Sequence, residues 1–321
     1  MQRWKVVVAD HEFTDLRYEE AVFSDFPIDL VVGKCTTEAE VVGFSHDADG
    51  ILNVYAPISR YVIERLNRCK VISRYGIGVD SIDLSAASAK QIWVTNVPDY
   101  GVEEVANHAL SLLLSWSRKI VQLDRLVKSG IWDFKLGGTS NRLSEQVVGL
   151  IGFGRIPRAL LSRLLPLGFQ VVVSDPYVDP KEAAILGAKW CSLNELLTIS
   201  DYISIHAPST PQNYHLISRK QISLMKQTSV LINTSRGSLI DEGALIEALQ
   251  LKQISGAALD VLEQEPIAAD HPFLTMNNVI LTPHSAWYSE QSMIDLRTKA
   301  ARNIVEVLTG KDPKHAVNIH V

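Results

Sequence analysis

Residues Val147 to Val178, VVGLIGFGRIPRALLSRLLPLGFQVVVSDPYV, decide how this chain folds. A short apolar run, Val147–Ile151, leads into the glycine turn Gly152–Gly154; a helix-period segment then leads into a second apolar run that stops at Asp175. Strand, glycine turn, helix, strand and acid in this order are typical of a dinucleotide-binding βαβ unit. The glycines let the backbone approach a pyrophosphate, and the helix N-terminus offers free N–H groups and a partial positive charge.

Two residues of this stretch refine the cofactor prediction. Asp175 can accept hydrogen bonds from both ribose hydroxyls and would repel a 2′-phosphate, so NAD is favoured over NADP. Pro157 stands where the fingerprint has its third glycine. Proline is tolerated in a first helical turn, but its ring is bulkier where helix and strand pack closely. The alternative interpretation is an ordinary glycine turn of another α/β protein.

Length and composition exclude several classes of protein. The chain has 321 residues, 46% of them hydrophobic and 21% charged, with a formal net charge of −5. Nothing in this balance points to nucleic acid or to an anionic membrane surface. No segment approaches the ~18 consecutive apolar residues of a membrane span, and no secretory leader is recognisable at the N-terminus, so a cytoplasmic protein is predicted.

The cysteines predict neither a disulfide framework nor a metal site. There are three, Cys35, Cys69 and Cys191, far apart and without C-x-x-C spacing. An odd number at this spacing supports neither paired thiols nor a zinc site. They are interpreted as small buried apolar residues, and no metal is expected.

Strand-like runs alternate with helix-period segments along the chain, which predicts parallel sheets. The predicted fold class is α/β, with two Rossmann-like or flavodoxin-like domains and a cleft between them. Residues 1–98 and 286–321 are predicted to form the substrate-binding domain, and residues 99–285 the NAD-binding Rossmann domain. Strands are predicted at Val6–Val8, Gly50–Val54, Val71–Ser73, Trp93–Thr95, Tyr202–His206, Ser229–Asn233, Gly256–Asp260 and Val279–Leu281, and long helices at Glu242–Gln250 and Glu290–Leu308.

Reactive side chains follow several strands of the second domain. Arg236 comes after a buried apolar run, and an arginine can clamp a carboxylate bidentately. Asp260, Glu263 and Glu265 follow the next strand, and His284 follows the last. Histidine can exchange a proton near neutral pH when a carboxylate stabilises its imidazolium. Taken singly, each residue could instead be a surface ion pair, a solvated acid or a polar loop residue; together they suit carbonyl reduction.

Six segments carry a resemblance to a known family. The chain resembles the D-isomer-specific 2-hydroxyacid dehydrogenases, and most closely their C-terminal-binding-protein-like branch. The resemblance extends from about residue 70 to residue 310. Its motifs are SRYGIGVDSID (73–83), NVPDYGVEEVANHALSLLL (96–114), GFGRIP (152–157), NTSRGSLID (233–241), ALDVLEQEP (258–266) and LTPHSAWYSEQ (281–291).

The resemblance implies a role for each catalytic candidate. Arg236 matches the substrate-binding arginine, Glu265 the glutamate that partners the histidine, and His284 the general acid/base. Asp260 matches the residue that contacts the nicotinamide carboxamide. Glu265 also argues against the related formate dehydrogenases, which have a neutral residue there.

Substrate residues are predicted in two segments of the substrate-binding domain. The backbone N–H groups of the segment 75–78 could form an anion nest, although a plain glycine turn explains the same residues. The resemblance places Trp287 at the substrate pocket, where its face would favour an apolar or thioether side chain. Packing against a neighbouring element is the alternative for Trp287, and Arg74 could instead meet an anionic substrate. The full predicted substrate set is Arg74, Tyr75, Gly76, Ile77 and Trp287. The full predicted cofactor set is Gly152, Gly154, Arg155, Ile156, Asp175, His206, Ala207, Pro208, Thr234, Ser235 and Asp260.

Two functions of different classes follow from the resemblance. The first is an NAD-dependent enzyme that reduces a 2-keto acid to a D-2-hydroxy acid. The alternative is an NAD(H)-sensing corepressor or scaffold of the C-terminal-binding-protein type, which the three catalytic residues disfavour. A related dehydrogenase acting on phosphite or a sugar acid is left open. The resemblance also implies a homodimer formed through the Glu104–Trp132 region and a small-molecule substrate. From composition and charge, neither nucleic acid nor a membrane is expected as a partner.

Overall fold

The computed structural model describes residues 3–318 of the chain. They form two compact units: the first runs to Gly101 and resumes at Ser289, and the second comprises Val102–Tyr288. The domain boundaries predicted from the sequence, after residues 98 and 285, each lie three residues earlier. No helix within residues 3–318 is long and apolar enough to cross a membrane.

The first unit is built on a five-stranded parallel sheet. Its order, β2-β1-β3-β4-β5, is that of flavodoxin-like folds. The strands are β1 (Trp4–Val8), β2 (Ile28–Val32), β3 (Gly50–Asn53), β4 (Val71–Arg74) and β5 (Trp93–Thr95). The helices between them are α1 (Arg17–Phe23), α2 (Glu38–Ser45), α3 (Arg60–Glu64) and α4 (Leu84–Ala89).

The second unit has a seven-stranded parallel sheet of order β12-β11-β10-β9-β6-β7-β8. The order reverses between β6 and β9, which is where ligands bind in open α/β sheets. The strands are β6 (Val147–Ile151), β7 (Gln170–Ser174), β8 (Lys189–Trp190), β9 (Tyr202–Ile205), β10 (Val230–Asn233), β11 (Gly256–Leu259) and β12 (Val279–Leu281). The helices are α5 (Val102–Ser117), α6 (Ile120–Lys128), α7 (Arg155–Leu164), α8 (Pro180–Ile185), α9 (Leu193–Ile199), α10 (Arg219–Ile222) and α11 (Glu242–Gln250).

The last helix, α12 (Glu290–Leu308), belongs to the first unit. Ser289 caps its N-terminus by accepting a hydrogen bond from the Ser292 N–H at 2.9 Å. The helix packs on α1 and β4 of the same unit. One long helix thus covers the sheet that carries the segment 74–78.

Both faces of the second sheet are buried, which explains its nearly continuous apolar strands. Val148 and Leu150 pack with α5 and α7 on one face, whereas Ile203 and Ile205 pack with α9 and α11 on the other. The three cysteines are free and buried, as predicted. Burial raises the pKa of the Cys69 thiol to about 12, so it stays protonated.

Candidate active site

The glycine turn between β6 and α7 lies against the backbone that follows the neighbouring strand β9. Gly152 has φ +91°, and a Cβ there would lie 2.9 Å from the carbonyl carbon of His206. Gly154, the N-cap of α7, has open space where a Cβ would stand. Any side chain at position 152 would therefore be strained and crowded, while Gly154 leaves the helix N-terminus accessible.

Pro157 lies in the first turn of α7 and does not prevent the helix from forming. It is buried, and the N–H of Arg158 closes the turn on the carbonyl of Gly154 at 3.2 Å. An N–H at position 157 would have no intrahelical partner, so proline costs the helix no hydrogen bond there. Arg155 and Ile156 are the first two residues of the helix, and a helix N-terminus attracts anions.

Asp175 ties the end of β7 to the glycine turn. Its carboxylate accepts hydrogen bonds from the N–H groups of Phe153 and Tyr177, both at 2.8 Å. A carboxylate has about four acceptor positions, so two remain for ribose hydroxyls. The nearby Arg158 forms an ion pair with Glu182 at 2.6 Å and donates to the carbonyl of Phe153.

The loops after β9 and β10 are joined beside the turn. Ser235 Oγ donates to the carbonyl of Ala207 at 2.6 Å, and the His206 ring hydrogen-bonds Ser204 at 2.8 Å. Burial lowers the pKa of His206 to about 4, so its ring is neutral at physiological pH. Within the described residues, the hydroxyl of Thr234 is buried and has no hydrogen-bond partner.

The three predicted catalytic residues lie in the second unit, and two of them form a pair. His284 Nδ1 lies 2.6 Å from Glu265 Oε2, and Glu265 Oε1 accepts the N–H of Leu262 at 2.9 Å. Burial alone would raise the pKa of Glu265, but the His284 hydrogen bond and charge, the Leu262 N–H and the charge of Arg236 together lower it. The carboxylate therefore stays ionised beside the imidazole.

His284 has a strained backbone that its neighbours maintain. Its φ is +51°, and its N–H donates to the carbonyl of Asp260 at 2.8 Å. Left-handed conformations of such residues cost roughly 1–3 kcal/mol and persist where surrounding contacts impose them. Here the carboxylate of Asp260 accepts the N–H groups of Ser285 and Ala286 at 3.0 and 2.9 Å and the hydroxyl of Thr282 at 2.5 Å.

Asp260 thus organises the loop that carries His284. Its side chain is only 1% exposed. The predicted contact with the nicotinamide carboxamide stays a prediction, since the carboxylate already holds three donors of that loop. Sequence reasoning had assigned it to the cofactor alone.

His108 was missed by the sequence analysis. Its Nε2 lies 3.0 Å from the Thr282 hydroxyl and 3.5 Å from Asp260 Oδ1. Because the Thr282 hydroxyl donates to Asp260, His108 Nε2 must donate to Thr282. The available signal was its position on α5 between Val105 and Leu112, within the buried stripe of the helix.

The predicted anion nest of the first unit needs a correction. The N–H of Tyr75 already donates to Asn53 O at 2.9 Å, and that of Gly76 to Arg74 O at 3.0 Å. In this segment, the amides of Ile77 and Gly78 donate to no acceptor within residues 3–318 and are left for an anion. Tyr75 is 2% exposed and its hydroxyl hydrogen-bonds Glu19 in the unit's interior, so a contact of its side chain with substrate stays a prediction.

A family comparison identifies the second unit. Residues 110–286 match the family described as "D-isomer specific 2-hydroxyacid dehydrogenase, NAD binding domain". The chain belongs to the D-isomer-specific 2-hydroxyacid dehydrogenases. Both the family predicted from the sequence and the α/β fold with two Rossmann-like domains are confirmed.

Relatives of this dehydrogenase chain have several activities. It is 37% identical over 95% of its length to D-3-phosphoglycerate dehydrogenase of Methanocaldococcus jannaschii, of which it covers 59%. It is 34% identical over 86% of its length to glyoxylate reductase of Korarchaeum cryptofilum, of which it covers 84%. D-lactate dehydrogenase of Aquifex aeolicus, solved with NAD and lactic acid, has a TM-score of 0.85 and 29% identity, with 95% of this chain and 96% of that one covered.

The residues present fit the NAD expected of this dehydrogenase family. A helix N-terminus faces open space at Gly154, and Thr234 offers a buried hydroxyl that lacks a protein partner. Asp175 retains acceptor capacity for a ribose. Within residues 3–318, no group of three or more His, Cys, Asp or Glu side chains is placed to hold a metal ion.

Proposed function

We propose that the chain is an NADH-dependent reductase that converts a 2-keto acid into the D-2-hydroxy acid. The observation that carries the proposal is the pair of His284 Nδ1 and Glu265 Oε2 at 2.6 Å, in the unit that matches the NAD-binding domain. An ionised carboxylate that fixes an imidazole is an arrangement suited to general acid catalysis. Arg236 lies close enough for its charge to lower the pKa of Glu265.

The proposed mechanism assigns one task to each of these side chains. NADH, when bound, supplies the hydride that reaches the keto carbon. Because His284 Nδ1 faces Glu265, its Nε2 is left to donate a proton to the carbonyl oxygen. Glu265 stabilises the imidazolium before the proton is transferred. Arg236 binds the substrate carboxylate and stabilises the negative charge that develops on the carbonyl oxygen. The neutral His284 then recovers a proton from solvent.

The substrate class follows from the relatives and from the first unit. Glyoxylate and hydroxypyruvate reductases are among the relatives, so we propose a small 2-keto acid of that kind. Within the first unit, the amides of Ile77 and Gly78 would bind its carboxylate. The selection of its side chain by Arg74 or by Trp287 stays a prediction. Purified protein should oxidise NADH with at least one of glyoxylate, hydroxypyruvate, pyruvate or 3-phosphohydroxypyruvate.

The same assay tests the scaffold alternative. If NADH binds but no 2-keto acid is reduced, the enzyme proposal is wrong and the NAD(H)-sensing scaffold of the C-terminal-binding-protein type becomes the better hypothesis. That branch and a cytoplasmic location stay predictions.

We propose that Asp175 makes the chain selective for NADH over NADPH. The variant Asp175→Asn keeps the size of the side chain and loses its charge. Its KM for NADH should rise about tenfold, because the contacts to the ribose hydroxyls are weakened. Its preference for NADH over NADPH should become smaller, because the charge that repels a 2′-phosphate is gone. Steady-state kinetics with both cofactors measure this. The control Glu195→Gln removes an exposed acid of the same unit and should change neither KM for NADH nor the preference for NADH. Equal use of both cofactors by the wild type would contradict the prediction.

We propose a homodimer formed through α6 and the segment that follows it. Large apolar side chains cluster there in solvent: Ile120 is 54% exposed, Trp132 89%, Phe134 78% and Leu136 60%. Such clusters commonly mark protein interfaces. The double variant Trp132→Asp/Phe134→Asp should convert a dimer into a monomer in light scattering. Ile185→Asp, at an 84% exposed apolar position outside this cluster, should leave the dimer intact, and a monomeric wild type would refute the proposal.

A further inference from the structure

A buried ion pair lies beneath the segment 74–78 of the first unit. Glu19 on α1 is 0% exposed and Arg297 on α12 is 3% exposed. Arg297 Nε and Nη2 lie 2.9 and 2.6 Å from the two carboxylate oxygens of Glu19, a bidentate contact. The phenol of Tyr75 donates to the same carboxylate at 3.1 Å.

The surroundings hold this cluster in one geometry. The guanidinium also donates to the carbonyl of Asp15 and lies 4.5 and 4.7 Å from the ring centres of Phe13 and Tyr18. The Phe13 ring in turn meets the Tyr75 ring edge to face at 5.1 Å. A buried ion pair contributes little net stability compared with apolar packing. We therefore consider what the Glu19–Arg297 pair does to the position of Tyr75.

The backbone that follows Tyr75 is held by hydrogen bonds to neighbouring segments. Gly76 has φ +146°, and its carbonyl accepts the Val97 N–H at 2.9 Å. The carbonyl of Ile77 accepts Asn96 Nδ2 at 2.7 Å. These two carbonyls are thus held, whereas the amides of Ile77 and Gly78 donate no hydrogen bond within residues 3–318.

We propose that Tyr75 is a positioning residue for substrate binding. Its hydroxyl, anchored on the Glu19–Arg297 pair, holds the backbone of residues 76–78 so that the amides of Ile77 and Gly78 can bind a carboxylate. The inference rests on the proposed function for the identity of that carboxylate, the 2-keto acid. The placement of the backbone is a property of the fold and can be measured without turnover.

The first experiment is hydrogen exchange on Tyr75→Phe, which removes one hydroxyl and keeps the buried ring. Exchange of a peptide covering residues 74–80, read by mass spectrometry, should become roughly tenfold faster, because the variant loses a hydrogen bond to a charged acceptor. Tyr18→Phe is the matched control, since it keeps the ring on Arg297 and the Tyr18 hydroxyl makes no hydrogen bond within residues 3–318. Unchanged exchange of residues 74–80 in Tyr75→Phe would overturn the proposal.

The second experiment is kinetic. With a 2-keto acid that the wild type reduces, Tyr75→Phe should raise KM for the acid about fivefold to tenfold, with kcat within a factor of about two and KM for NADH unchanged. A lower melting temperature with unchanged KM would show a purely structural role and overturn the proposal. If the wild type reduces no acid, the proposed function fails, and the exchange experiment still decides the role of Tyr75.

Discussion

Replacing His284 by asparagine is expected to lower kcat for the 2-keto acid about 10³-fold, since a positioned general acid contributes roughly 10²–10⁴. Asparagine suits the test because His284 has φ +51°, a conformation that asparagine adopts more readily than alanine. The backbone and the contacts around Asp260 should therefore persist. The affinity for NADH, measured by fluorescence titration, should not change.

Two controls distinguish loss of the general acid from loss of folding. The melting temperature of His284→Asn should match that of the wild type. His46→Asn, at an imidazole that is 53% exposed and remote in sequence from the site, should keep full activity. A His284→Asn enzyme that retained more than about a tenth of wild-type kcat would contradict the assignment of the general acid.

Replacing Arg236 by methionine is expected to lower kcat/KM by a factor of about 10² to 10⁴. Two charge-assisted hydrogen bonds to the substrate at roughly 1.5–3 kcal/mol each correspond to that range, at about 1.4 kcal/mol per factor of ten. The loss should fall on kcat as well as on KM, because the contact to the carbonyl oxygen strengthens as negative charge develops. Removal of the guanidinium also removes one of the influences that lower the pKa of Glu265.

The choice of variants makes this result specific to the guanidinium. Arg236→Lys keeps the charge but loses the planar fork, so it should recover only part of the activity. Added guanidinium ion should partly restore Arg236→Met. Arg219→Met, which removes an exposed arginine that pairs with Glu247, should have no kinetic effect. A rise in KM alone would mean that Arg236 binds substrate and transition state equally, against the proposed role.

The elements of the second unit could be predicted where the sequence pattern that indicates them lies within one short segment. The strand, glycine turn and acid of residues 147–175 lie close together in sequence, and the structure has β6, the turn and β7 there. The bounds predicted for α11 and α12 match because their apolar periodicity spans whole helices. The strands β2 and β8 were missed, since both lie at sheet edges and are partly or fully exposed.

Side-chain roles were less predictable than the fold. The pattern SRYGIGVD does not reveal that the Tyr75 side chain is buried against Glu19, which precedes it by 56 residues. Asp260 has a chemically suitable carboxylate for a cofactor, yet it binds the loop of His284. His108 reaches that loop from α5, across 174 residues of sequence.

The family and the fold class could be predicted from the chain, because short motifs and apolar periodicity depend on residues that are neighbours in sequence. The folded structure was needed to show that His284 pairs with Glu265 at 2.6 Å and that Asp260 supports the strained backbone of His284. It also decided which amides of the segment 75–78 remain for an anion. Those facts depend on hydrogen bonds between distant segments, whose geometry arises when strands and loops pack together.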